Sequence, residues 1–157
     1  MSQSPATIPK IIHQTWKDTQ VPDRWRDYVD SWKRLHPHWE YRLWTDKDAR
    51  CFIAEHHREF LARFDAYPLN IQRADAIRYF VLYKYGGLYV DMDVESLRPI
   101  DELFAGRSVV IAPEPAFLLP HFGRHEMVTN AIMASVPEHP FFLAVMWPAP
   151  QNLIQML

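Results

Sequence analysis

The sequence predicts an α/β domain with a mostly parallel central sheet flanked by helices. Short β-branched or aromatic runs alternate with segments whose apolar residues recur at three- and four-residue spacing, and turn residues punctuate the boundaries. With 157 residues and 48% hydrophobic content there is material for one core, and neither an internal repeat nor a linker divides the chain.

In chain order, residues 1–7 read as a disordered lead-in. "IPKIIHQTW" then reads as a strand, Ile8 to Trp16, turning polar at His13, Gln14 and Thr15. After Pro22, Trp25, Tyr28, Val29, Trp32 and Leu35 mark one amphipathic helix that stops before Pro37. "WEYRLW" alternates and reads as a strand, Trp39 to Trp44. From Asp46 to Tyr67 the pattern is helical with a break near His56 and His57, and its apolar side holds Phe52, Ile53, Phe60, Leu61 and Phe64.

A further helix is expected over "NIQRADAIRYFVLYKY", with Asn70 as N-cap, a stripe of Ile71, Ala74, Ile77, Val81 and Tyr85, and Gly86 as terminator. "LYVDMDV" and "SVVIAPE" are expected strands, and "TNAIMAS" suits either a strand or a short helix. "HPFFLAVMW" predicts a last helix. These elements give one domain over residues 8–147, followed by an irregular tail over 148–157.

Bulk properties narrow the function. A net charge of −2, with no run of like charges, offers no electrostatic case for nucleic acid. The single cysteine, Cys51, cannot form an internal disulfide; it is expected in the core, in a protein of a reducing compartment. No secretory leader or membrane span is expected, so the reading is a cytoplasmic protein or one peripheral to the cytoplasmic membrane face. Six Trp residues suit either a dense aromatic core or stacking platforms for sugars and bases.

The chemistry concentrates in "YGGLYVDMDVES", Tyr85 to Ser96. Continued strand alternation puts Leu88, Val90, Met92 and Val94 on one face and Tyr89, Asp91 and Asp93 on the other. Two neighbouring carboxylates repel, and open solvent or a divalent cation relieves that repulsion. Hard cations such as Mg²⁺ and Mn²⁺ take carboxylate oxygens and share them with substrate phosphates. Ligands of open α/β sheets also bind beyond the carboxyl ends of strands, where this pair falls. A D-x-D triplet alone equally describes a solvated strand edge. One helix earlier, Asp75 and Arg78 share a face, with Arg73 on the same turn. They are either a surface ion pair or, through the Gly86-Gly87 hinge, part of the same site.

The blocks "IPKIIHQTWK", "RADAIRYFVLYKYGGLYVDMDV" and "NAIMASVPEHPFF" together resemble the DXD-containing sugar transferases of glycosyltransferase family 32. That group includes the yeast initiating α-1,6-mannosyltransferase and the sphingolipid mannosyl- and α-1,4-galactosyltransferases; the middle block also resembles the glucosylating domain of the large clostridial toxins. The resemblance spans residues 8–147. It implies a GT-A fold, a nucleotide-sugar donor linked through UDP or GDP, Mn²⁺ or Mg²⁺, retention of anomeric configuration, and a glycan, lipid or protein acceptor. It assigns the metal to Asp93, and to Asp91 a ribose or sugar contact that reaches the metal through water. Asp75 and Arg78 would hold the sugar hydroxyls and the phosphate side of the donor. Trp16 would meet the nucleotide base, with Ile11 and His13 lining the same strand end. No residue is assigned as a catalytic base or nucleophile. Tyr89 and the two glycines read as structural. Relatives of this kind continue past the "HPFF" helix with a further diphosphate contact and much of the acceptor site.

Weaker candidates remain. Glu55, His56 and His57 are adjacent on a helix and face apart, and His36 and His38 flank a turn proline. His121 and His125 lie in a Pro/Gly-bounded loop, and Glu114 follows an expected strand as a sugar-pocket candidate. Two other functions compete. A haloacid-dehalogenase-like phosphatase also uses D-x-D after a strand, but wants Thr where Glu95 stands. A non-catalytic nucleotide-sugar-binding module would keep the donor site alone.

Overall fold

The computed structural model describes residues 7–146. The expected lead-in, apart from Thr7, and the expected tail lie outside the described residues. In order, the elements are β1 (Ile11–Thr15), α1 (Asp23–Leu35), β2 (Glu40–Trp44), α2 (Asp46–His56), α3 (Arg58–Ala66), α4 (Asn70–Tyr85), β3 (Gly87–Val90), β4 (Val109–Pro113), β5 (Val128–Ser135) and α5 (Pro140–Met146). The ambiguous "TNAIMAS" segment is therefore strand. The helical break falls at His57, which separates α2 from α3.

One five-stranded sheet runs β2-β1-β3-β5-β4. β1 pairs in parallel with both β2 and β3, while β5 pairs antiparallel with both β3 and β4. Four strands thus share one direction and β5 alone opposes them. Side-chain alternation sorts β3 between two cores. Leu88 and Val90 join Ile12, Trp32 and Trp39 on the α1 face. Tyr89 joins Leu82, Met133 and Phe142 on the other. A third cluster, with Phe52, Ile53, Phe60, Phe64, Phe80 and Val81, packs α2, α3 and α4 together. Each such fully buried side chain contributes roughly 1.5–3 kcal/mol relative to exposure.

Four local expectations are corrected. Cys51 is exposed, not core. Asn70 is the first helical residue and Leu69 stands at the cap; the Asn70 carboxamide instead accepts from the Arg73 guanidinium at 2.7 Å. Ile71 leaves the buried stripe and is 61% exposed. Strand β3 ends at Val90, so the alternation expected through Val94 stops before the two carboxylates. Residues 91–94 form a turn closed by the Val94 N–H donating to Asp91 O at 3.2 Å. Among the described residues no helix is long and apolar enough to cross a membrane.

Neither Ile11 nor His13 lies at the carboxyl end of β1. His13 is fully buried, and its Nε2–H donates to Gly86 O at 2.9 Å. Its Nδ1 accepts from the Trp44 indole at 3.0 Å, which fixes the neutral Nε2–H tautomer. Burial, opposed by the Gly86 hydrogen bond, pushes its pKa down from 6.5 to about 4. Protonation would also turn the Nδ1 acceptor into a donor facing another donor. A depressed histidine stabilises the fold fully above the unfolded-state pKa, and that stability drains as pH falls from about 6.5 toward 4. The loss saturates at about 3 kcal/mol, the equivalent of that shift. Urea unfolding at pH 7.5 and 4.5 should therefore show a smaller acid loss for His13→Gln than for the parent chain. Equal losses would remove His13 as the cause.

Candidate active site

A cavity of about 930 Å³ opens at the carboxyl ends of β1, β2 and β3, and segments far apart in the sequence line it. β1 runs out into Trp16 and Lys17, and β2 into Thr45, Asp46 and Lys47. The turn after β3 supplies Asp91, Met92 and Asp93. Asn130 arrives from β5, whose antiparallel course brings its beginning to the same edge. The first turns of α4 close the rim with Asn70, Ile71, Arg73, Asp75 and Arg78.

The expected helix–strand pairing forms. Arg78 is 3% exposed, and its guanidinium donates to Asp75 Oδ1 at 2.7 Å, to Asp91 Oδ2 at 3.4 Å and to Asn130 O at 2.8 Å. Its carbon centre sits 4.7 Å from the Tyr89 ring centroid. Arg78 therefore orients two carboxylates, with its donors committed to the protein. Burial opposes its charge, yet Tyr89, Asp91 and Asp75 outweigh that and raise its pKa.

Asp91 and Asp93 differ sharply. Asp91 is gripped on both oxygens, by the Tyr89 hydroxyl at 2.8 Å and by Arg78. Tyr89 OH shares a further 3.0 Å hydrogen bond with Thr15 Oγ1, so the tyrosine connects β1 to the site. Burial raises the Asp91 pKa, with Arg78 and the Tyr89 hydroxyl opposing. Asp93 is exposed in the cavity, and its carboxylate has no hydrogen-bond or ion-pair partner among the described residues. Its oxygens are hard donors free to take a cation. Among the described residues no group of three His, Cys, Asp or Glu side chains converges on one point. The donor set thus suits Mg²⁺ or Mn²⁺, which use one or two carboxylates and fill the remaining positions with water and substrate phosphates.

Trp16 lines the cavity as expected, and its buried indole Nε1 lacks a partner among the described residues. Trp25 meets it edge to face at 4.9 Å, with the Arg24 guanidinium 4.1 Å from the Trp25 ring centroid. Sequence reading placed Trp25 in the apolar stripe of its helix and missed it here. It also missed Asp46, Lys47 and Asn130. Asp46 lines the cavity with its carboxylate in no hydrogen bond or ion pair among the described residues, and burial raises its pKa against the opposing charge of Arg73. Arg73 lines the rim but is tied to Tyr67 O and Asn70. Ile11, His13, Glu114, His121 and His125 are not among the cavity-lining residues. Ile11 sits at the start of β1, far along the strand from the open edge, and His13 is sealed inside.

The carboxyl edge of the sheet thus carries an acidic turn, a buried arginine and paired indoles. The solved PaToxG glycosyltransferase has this fold: it superposes with a TM-score of 0.61 over 97% of this chain and 64% of its own, at 15% identity. Residues 22–110 match the glycosyltransferase sugar-binding region containing the DXD motif, and the chain belongs to that family. Inositol phosphoceramide mannosyltransferase 2 of Schizosaccharomyces pombe is 49% identical over 135 residues, covering 86% of this chain and 36% of that protein. Mannosyl phosphorylinositol ceramide synthase SUR1 of Saccharomyces cerevisiae is 44% identical, over 88% of this chain and 34% of its own length. The initiation-specific alpha-1,6-mannosyltransferase of the same yeast is 35% identical over 62% of this chain and 22% of its own. The chain thus spans little more than a third of the first two relatives.

Proposed function

We propose that this chain is the donor-binding core of a metal-dependent, retaining hexosyltransferase. It takes a sugar, mannose by the names of its relatives, from a UDP- or GDP-linked donor. The acceptor class is a lipid carrying an inositol-phosphate headgroup, again by those names. One observation carries the reading: Asp75, Arg78 and Asp91 are locked together in the cavity while Asp93 beside them has no partner among the described residues. Asp93 would hold Mn²⁺ or Mg²⁺, and the bound cation would supply positive charge for the diphosphate that leaves. Asp75, held by Arg78 and still 45% exposed, would take the sugar hydroxyls. Asp91 buttresses the turn, held by Tyr89 and Arg78, and would contact the ribose or, through water, the cation. Trp16 and Trp25 form the wall for the base. The neighbouring carboxylate Asp46 is free to accept from the ribose or base.

The phosphatase alternative would need Asp91 as an attacking nucleophile, and both of its oxygens are engaged by Tyr89 and Arg78. Thermal unfolding with a panel of UDP- and GDP-sugars tests the reading. One of them should raise the midpoint only when Mn²⁺ is also present; saturation at 100 times Kd corresponds to about 2.7 kcal/mol. No stabilisation by any nucleotide-sugar with Mn²⁺ would overturn it. Stabilisation without donor hydrolysis or transfer would mark a binding module instead.

A further inference from the structure

The turn that carries Asp93 is held by its backbone, through three buried polar side chains that the functional reading leaves unused. Gln14 of β1 is fully buried, and its Nε2 donates to Asp91 O at 3.3 Å. Its Oε1 accepts from the Tyr41 hydroxyl of β2 at 2.7 Å, so the carboxamide cannot rotate away without losing both contacts. From the other side Trp32 of α1, 2% exposed, donates its indole N–H to Val94 O at 2.7 Å. One residue earlier on α1, Ser31 is fully buried and its Oγ accepts the Ser96 N–H at 2.9 Å. Asp91 N–H meanwhile donates to Ala131 O on β5.

Residues 91–96 thus have little regular structure of their own, yet their backbone is gripped from β1, from α1 and from β5. Each buried side chain here could have been apolar at lower desolvation cost. Their common target is the segment that presents the unpaired Asp93. We propose that Gln14, Ser31 and Trp32 are positioning residues: a backbone clamp that presets the Asp93 carboxylate for a divalent cation. The proposal rests on the metal-dependent reading above. Preset geometry matters because a ligand on a loose turn must be ordered at the moment of binding, and that entropy is subtracted from affinity. The clamp places that ordering in the folding of the chain.

Gln14→Met keeps the volume and removes both polar contacts; Trp32→Phe keeps an aromatic ring in the core and removes the donor. In each variant Mn²⁺ affinity, read by calorimetry with nucleoside diphosphate present, should fall about 10-fold, the scale of one lost buried hydrogen bond. Metal-free amide exchange at Val94 and Ser96 should accelerate, while nucleotide affinity without metal stays unchanged. Gln14→Glu retains the Tyr41 contact but presents an acceptor to Asp91 O, and should behave like Gln14→Met. Variants that lose thermal stability yet keep Mn²⁺ affinity within about twofold would show a merely structural role and overturn the clamp. A parent chain that binds no Mn²⁺ would instead overturn the functional reading, and the exchange data would still show whether the turn is held.

Discussion

Asp93→Ala is expected to abolish Mn²⁺-dependent nucleotide binding while leaving the unfolding midpoint unchanged. The carboxylate is exposed and makes no hydrogen bond or ion pair among the described residues, so the fold loses nothing with it. The cation would lose the exposed carboxylate of the acidic turn, which has no other partner among the described residues. An electrostatic contribution of several kcal/mol corresponds to about a 100-fold or larger loss. Asp91→Asn should behave differently. It breaks the charge pair with buried Arg78 and weakens the Tyr89 contact, so stability and ligand affinity should fall together. Paired calorimetric titrations, with and without Mn²⁺, separate the two carboxylates. An Asp93→Ala chain that binds as tightly as its parent would remove Asp93 from the site.

The contrast between those carboxylates was only half legible in the sequence. Period-2 alternation carried Asp91 and Asp93 onto one strand face as equals, but the strand stops at Val90 and the turn sends the two side chains to different surroundings. What could be read was the helix–glycine–strand order, because Gly86 and the Asp75–Arg78 spacing report local geometry. Long-range placement could not. Trp25 has the same 3.6-residue periodicity as buried Trp32, and nothing in the period tells a core wall from a cavity wall. Asp46, Lys47 and Asn130 reach the site because β2 and β5 end or begin at one edge, and strand direction is invisible to alternation. The polar pair His13-Gln14 was legible as unusual but misassigned for His13. Buried polar side chains in a strand can serve the backbone as well as a ligand, and His13 serves Gly86.

Gly87→Ala is expected to be strongly damaging, and the reason lies in both backbone and space. Gly87 has φ of +90°, where a side chain is strained, and an added Cβ would lie 2.6 Å from Ile11 O and 3.1 Å from Ile11 Cβ. Neither contact can yield cheaply, because Ile11 is part of β1 and its neighbours are paired to β2 and β3. Strain and overpacking together should cost about 3–5 kcal/mol, a large share of an ordinary domain's stability of roughly 5–15 kcal/mol. Gly106 supplies the control: its φ is +67°, but no atom lies within 4 Å of the added Cβ. Gly106→Ala should therefore lose only the backbone term, about 1–2 kcal/mol. Urea midpoints of the two variants isolate the steric part. The effect should also reach the site, since β3 pushed away from β1 lengthens Gln14–Asp91 and Thr15–Tyr89, the contacts that fix the acidic turn. Equal destabilisation at Gly87 and Gly106 would show that β1 yields, and that the register of the acidic turn does not depend on this close approach.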